Sequence, residues 1–196
     1  MNTLFSHVCV VTMDERMSVW TDAFVGVTDG KISYLRKHAP EEKPAQIIDA
    51  TGMVLMPGLI NCHTHLPMQL LRGYADDLKL QEWLNDYIFP REDRLDGRCV
   101  RAATTLAVAE CLKFGVTSVS DMYYFCDDIC DVIAKSGMKA NISRGTSMFL
   151  GDDFDFEKFP ACQELVALKN KWHNFDGGIK LLILCVGADN DADRLF

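Results

Sequence analysis

The 196 residues, 48% of them hydrophobic, are enough to bury a core and build one or two domains, which excludes a disordered chain. A formal charge of -8, with Lys and Arg scattered along the chain, argues against nucleic acid or an anionic membrane as a partner, because either needs a basic stripe. No apolar stretch approaches the roughly 20 residues of a membrane span. Met1 to Arg16 also lacks the charged start and apolar middle of a signal peptide, so a cytoplasmic protein is expected.

From Thr3 to about Met56 the chain consists of short β-type runs: His7 to Thr12, Ala23 to Thr28, Lys31 to Leu35, Gln46 to Asp49 and Met53 to Met56. Asp29-Gly30 separates two of them and suits a type I′ hairpin turn. Residues 1–56 are therefore expected to form a small antiparallel β module used for packing and oligomerisation.

After Pro57 the pattern alternates strand and helix. Leu59 to His63 is expected as a buried strand, Asp96 to Phe114 as a helix closed by Gly115, and Val116 to Asp121 as a second strand. Asp127 to Lys135 is the second helix, with Gly137 as its stop. Lys139 to Ser143 is the third strand, Lys158 to Trp172 the third helix and Ile179 to Val186 the fourth strand. Such alternation predicts parallel strands joined by right-handed crossovers. Gly151 to Glu157, rich in Asp, is expected as an exposed loop.

Of the eight cysteines, Cys9, Cys62, Cys99, Cys111, Cys162 and Cys185 stand singly among apolar residues and are expected as buried thiols. Cys126 and Cys130 are spaced for one helix face, with no second Cys or His pair to complete a tetrahedral zinc site.

The most informative segment is Met56-Pro57-Gly58-Leu59-Ile60-Asn61-Cys62-His63-Thr64-His65. Side chains two apart on a strand share a face, so the imidazoles of His63 and His65 can converge on one cation while Thr64 points away. Imidazole is a ligand for zinc, iron, nickel and copper, and the pattern alone leaves that choice open.

Pro57 to His65, followed by Leu66-Pro67-Met68-Gln69-Leu70-Leu71-Arg72-Gly73-Tyr74-Ala75-Asp76-Asp77-Leu78, resembles the amidohydrolase superfamily. Glu82-Trp83-Leu84 and Phe89-Pro90-Arg91-Glu92 are similar to the methylthioadenosine/S-adenosylhomocysteine deaminases and their aminohydrolase and chlorohydrolase relatives. The likeness runs from about Met1 to Ile179.

The resemblance implies an α/β fold: the N-terminal half of a metal-dependent (β/α)8 barrel, about four βα units in residues 57–186, preceded by an incomplete β-sandwich module in residues 1–56 and followed by an atypical tail, 187–196. Its metal would lie at the C-terminal mouth, where such barrels place their chemistry. The implied reaction is hydrolytic deamination of an adenosine-type nucleoside, with one divalent metal, zinc foremost, activating water and the ring amino group leaving as ammonia. His63 and His65 would be metal ligands. Glu92 matches the position that accepts hydrogen bonds from both ribose hydroxyls, the alternative being an exposed carboxylate at a helix start. Arg144 matches a substrate-contacting arginine, the alternative being a structural ion pair. Trp83 is read as an anchor of a lid helix rather than a stacking platform for a purine, and Asp121 as a residue that orients a ligand or a loop. Other heterocycles, such as guanine, cytosine or a triazine, are the alternative substrates.

The pattern also departs from that family. Its later His, Glu and Asp ligands do not appear, and His173, in Lys171-Trp172-His173-Asn174, is expected at the surface or a helix end. A second arginine is missing between Gly145 and Pro160. Beyond about Lys180 the sequence no longer follows the family, as a frameshifted or shortened gene product would. A barrel of this kind needs ~250 residues, so strands one and four are expected as open edges that invite pairing with another copy or partner. No complete catalytic set is expected in this chain, which alone would be inactive. A non-enzymatic remnant or interaction module is the alternative.

Overall fold

A computed structural model describes residues 1–149 and 155–188 of the chain. The chain divides into two compact units, Met1–Gly58 and Leu59–Phe196.

The first unit is one sheet in the order β3-β2-β1-β4, with β5 also paired to β1. Its strands are β1 (Thr3–Val11), β2 (Val19–Thr28), β3 (Lys31–Arg36), β4 (Gln46–Asp49) and β5 (Val54–Leu55). Asp29 and Gly30 both adopt left-handed φ, +49° and +74°, as a type I′ turn between β2 and β3 requires. β1 alternates inward and outward, and Val8 and Val10 pack with Ala23, Val25 and Ala50. The expected all-antiparallel module is corrected here: β4 and β5 run parallel to β1. A parallel pair cannot be closed by a tight turn, and the stretch 37–45 supplies the return that brings β4 in alongside β1.

The second unit is a parallel sheet in the order β6-β7-β8-β9. Its strands are β6 (Leu59–Thr64), β7 (Val116–Tyr123), β8 (Lys139–Phe149) and β9 (Ile179–Ala188). Between β6 and β7 lie a 3-10 turn (Leu66–Leu71), α1 (Leu80–Glu82), a π turn (Trp83–Ile88), α2 (Phe89–Glu92) and α3 (Gly97–Lys113). The later crossovers carry α4 (Cys126–Ser136) and α5 (Pro160–Trp172). Sequential strands are spatial neighbours throughout, as in one arc of a (β/α)8 barrel.

Local chemistry sets these boundaries. Asp96 caps α3 by accepting from the Cys99 backbone N–H at 2.7 Å. Gly115 and Gly137 end α3 and α4 at φ +79° and +72°, where a Cβ would be strained. Ile129 and Ile133 of α4 meet Val119 and Ile142 of the sheet, and Leu165, Leu168 and Trp172 of α5 complete the cluster. Cys162 is a buried thiol as expected, and Cys126 and Cys130, which share a face of α4, are buried too. Burial raises the Cys130 thiol to about 12, so it stays protonated and inert. The side chain of Cys185 lies outside those described.

Two expectations about β6 are corrected. The strand forms, but it is not buried: Leu59 is 51% and Ile60 67% exposed. Cys62 is likewise exposed, while Cys9, Cys99 and Cys111 are half-buried. Pairing explains this, because β6 ends the strand order and hydrogen-bonds to β7 on one side alone among the described residues.

Candidate functional site

β6 carries His63 to the C-terminal end of the sheet, and His65, just past the strand's end at Thr64, opens the 3-10 turn that follows. Their ring centroids are 5.4 Å apart with planes at 79°, so the two imidazoles share one locality. His63 is exposed and His65 half-buried. Nδ1 of His65 lies 2.6 Å from the Met122 carbonyl on neighbouring β7. A carbonyl can only accept, so Nδ1 carries the proton and Nε2 keeps a lone pair for a metal. The fit is that of a partial site: two neutral nitrogen donors of the kind zinc takes. Among the described residues no group of three or more His, Cys, Asp or Glu is placed to hold a metal.

Asp121 secures the turn after His65. Only 2% exposed, it accepts from the Leu66 backbone N–H at 3.1 Å, while its Oδ2 has no hydrogen-bond partner among the described residues. It thus orients a loop. Burial pushes the carboxyl up to about 7, opposed by the backbone N–H groups of Leu66 and Met122. The folded chain therefore holds this proton more tightly than the unfolded chain, whose value is near 3.8. The sign follows: this stability is fully present below about pH 4 and is lost as pH rises through 7. In a chelator-treated chain, Asp121→Asn is expected to lower the excess of urea-denaturation stability at pH 5 over pH 8. An unaltered pH difference would show that the carboxyl titrates normally.

Glu92 closes α2 and reaches β7, where the Tyr123 hydroxyl donates to Oε1 at 2.6 Å. Tyr123 is 3% exposed, and its ring centroid lies 6.2 Å from that of His65. Burial first, and then the bond to Glu92, raise the phenol's pKa and keep it a donor. On β8, Arg144 stands opposite Tyr123 in register. Its Nε donates to Glu164 of α5 at 2.7 Å, and its guanidinium lies 4.9 Å from the Tyr124 ring centre. The ion pair weighed as an alternative for Arg144 is thus present, at the wall of a cavity of about 520 Å³ also lined by Glu92, Asp93, Tyr124 and Glu164.

A second, smaller pocket of about 190 Å³ is lined by His65, Trp83, Ile88, Glu92, Met122 and Tyr123. Glu92 therefore borders both hollows, one beside a histidine and the other beside Arg144. Trp83, half-buried in the π turn, lines the smaller hollow. His173 lies at the end of α5 and accepts from the Leu181 backbone N–H at 3.3 Å. Of the acidic stretch, residues 151–154 lie outside the described residues, as do residues 189–196 of the tail.

Sequence reasoning passed over Tyr123, Tyr124 and Glu164. The signal for Tyr123 was available, since it follows Asp121 by two on β7 and so faces the same way. Glu164 gave none, as one carboxylate on an amphipathic helix resembles any other.

A parallel sheet with strands in sequence order, crossovers on helices and paired imidazoles at the C-terminal end of its first strand defines a partial (β/α)8 barrel with a metal-suited mouth. The model of the amidohydrolase family matches residues 54–181, and the chain belongs to that family. It is 33% identical over 184 residues to the 5-methylthioadenosine/S-adenosylhomocysteine deaminase of Thermoanaerobacter pseudethanolicus, covering 93% of this chain and 42% of that protein. Among solved structures it resembles an adenosine deaminase from Xanthomonas campestris with bound zinc, at 31% identity and a TM-score of 0.78, covering 94% of this chain and 42% of that one. An atrazine chlorohydrolase from Arthrobacter aurescens complexed with zinc gives a TM-score of 0.81 at 21% identity, covering 94% and 47%, a likeness of fold alone. The chain spans about two fifths of the length of the curated relatives it matches. Among the described residues no helix is long and apolar enough to cross a membrane.

Proposed function

We propose that this chain carries the N-terminal portion of a metal-dependent hydrolytic deaminase of adenosine-type nucleosides, with 5′-methylthioadenosine and S-adenosylhomocysteine as the substrates its relatives' names suggest. In this reading residues 1–56 belong to the flanking sandwich module, 57–186 to the first half of the barrel and 187–196 to an atypical tail. The observation that carries it is the arrangement of His65: its Nδ1 is committed to the Met122 carbonyl, His63 stands beside it, and Glu92 borders the same hollow.

His63 and His65 would hold one divalent metal, zinc foremost, which when bound supplies Lewis acidity for hydrolysis. The chain's own groups then do the remaining work. Glu92 accepts from the ribose hydroxyls and fixes the nucleoside. Arg144, steadied by Glu164, forms the polar wall beyond it. Trp83 and Ile88 cover the small hollow and keep water from its apolar side. With two imidazoles as its metal ligands, the chain by itself binds metal weakly and does not turn over.

Calorimetry of the purified chain tests this reading. Zinc is expected to bind at one equivalent, 5′-methylthioadenosine to bind the zinc-loaded chain, and no ammonia to be released. Failure of both ligands to bind would overturn the reading, and steady ammonia release would overturn the inactivity of the isolated chain.

The exposed Leu59 and Ile60 on the side of β6 that no strand pairs among the described residues favour a second reading, an interaction module that pairs with a further strand. Concentration-dependent association in sedimentation, abolished by Ile60→Lys, would support it. A monomer at all concentrations would remove it.

A further inference from the structure

We propose that Tyr123 is a positioning residue for ribose recognition: its buried phenol holds the Glu92 carboxylate in the orientation that accepts the vicinal diol. The proposal rests on the reading of Glu92 given above. Glu92 ends a short helical run rather than standing on the sheet, and its side chain has freely rotating torsions, so nothing in its own backbone aims the carboxylate. Tyr123 supplies the aim. It stands on β7, paired on both sides, is 3% exposed, and donates to Oε1 at 2.6 Å.

The chemistry of the partner matters. A guanidinium or ammonium at this place would neutralise the carboxylate and compete for both oxygens. A phenol is a neutral donor of one hydrogen, so it fixes one oxygen and leaves Oε2, with its charge, as an acceptor for hydroxyl groups. The same ring lies 6.2 Å from His65 and stands opposite Arg144 in register. One side chain thereby sets the spacing between the metal-side histidine and the sugar-side carboxylate, which a nucleoside must bridge with its base at one end and its ribose at the other.

The test compares adenosine with 2′,3′-dideoxyadenosine on the zinc-loaded 196-residue chain. The wild-type chain is expected to prefer adenosine, and Tyr123→Phe to reduce that preference roughly ten- to a hundredfold, the range of one hydrogen bond to a charged group, with the dideoxynucleoside unaffected. A merely structural phenol would weaken both ligands equally, and equal loss, or no loss, overturns the proposal. A second measurement needs no ligand: the carboxyl carbon resonance of Glu92, in chain labelled at glutamate, should move in Tyr123→Phe. An unmoved resonance overturns the proposal alone. A moved resonance in a chain that binds neither nucleoside overturns the diol reading of Glu92, and the proposal with it.

Discussion

In a chain carrying His65→Ala, affinity for zinc or cobalt is expected to fall by roughly a hundredfold or more. Outer-shell partners of metal ligands alone are worth about 10–100-fold, and the ligand itself exceeds its supports. His63 near the end of β6 and His65 just past it bring their ring centroids within 5.4 Å, and the Met122 carbonyl fixes the His65 tautomer with the lone pair on Nε2, which removes the cost of choosing a tautomer on binding. With alanine at 65 one exposed imidazole remains, no better than any surface histidine. His7→Ala, an exposed histidine on the other unit paired with Asp22, is the control and should leave metal affinity unchanged. Competition with a chromophoric chelator measures both variants. Equal affinity of wild type and His65→Ala would mean that the metal, if bound, sits elsewhere.

Glu92→Gln should weaken adenosine by about 1.5–3 kcal/mol, the worth of a hydrogen bond to a charged group, while adenine is little changed. Glutamine is nearly isosteric, but it replaces one acceptor oxygen with an NH₂ donor. The Tyr123 hydroxyl needs an acceptor and keeps the amide oxygen, which turns the NH₂ toward the place where the ribose hydroxyls would donate. Donor then meets donor, and the charge that favoured both bonds is gone. Calorimetric titration with adenosine and adenine separates the outcomes. A nucleoside-to-base preference that survives the substitution would remove Glu92 from sugar recognition.

What the sequence disclosed depended on whether the signal was local. The helix from Asp96 to Gly115 was legible at both ends, because a capping carboxylate and a left-handed glycine are single-residue chemistry. The nearness of His63 and His65 was legible in their spacing, but not that β6 ends at Thr64 after a register shift, so that His65 stands in the turn beyond the strand. The direction of β4 was not legible, since antiparallel and parallel neighbours share the same alternation and differ in how the connection runs. The exposure of Leu59, Ile60 and Cys62 was hidden for a related reason: an apolar run tells what a strand would bury, not whether a neighbour is there to bury it. At the site, Glu92 and Arg144 came from motif likeness, whereas their partners Tyr123 and Glu164 are 31 and 20 residues away and met them through the sheet and α5.

The claim on which the account stands is that His63 and His65 grip one cation together. Nitrogen-15 spectra of the imidazoles, recorded as zinc is added to the 196-residue chain, test it directly. The account predicts that both rings shift together and saturate at one equivalent, with His65 bound through Nε2 and its Nδ1 still protonated. Rings that respond separately, or a His65 that never responds, would contradict it.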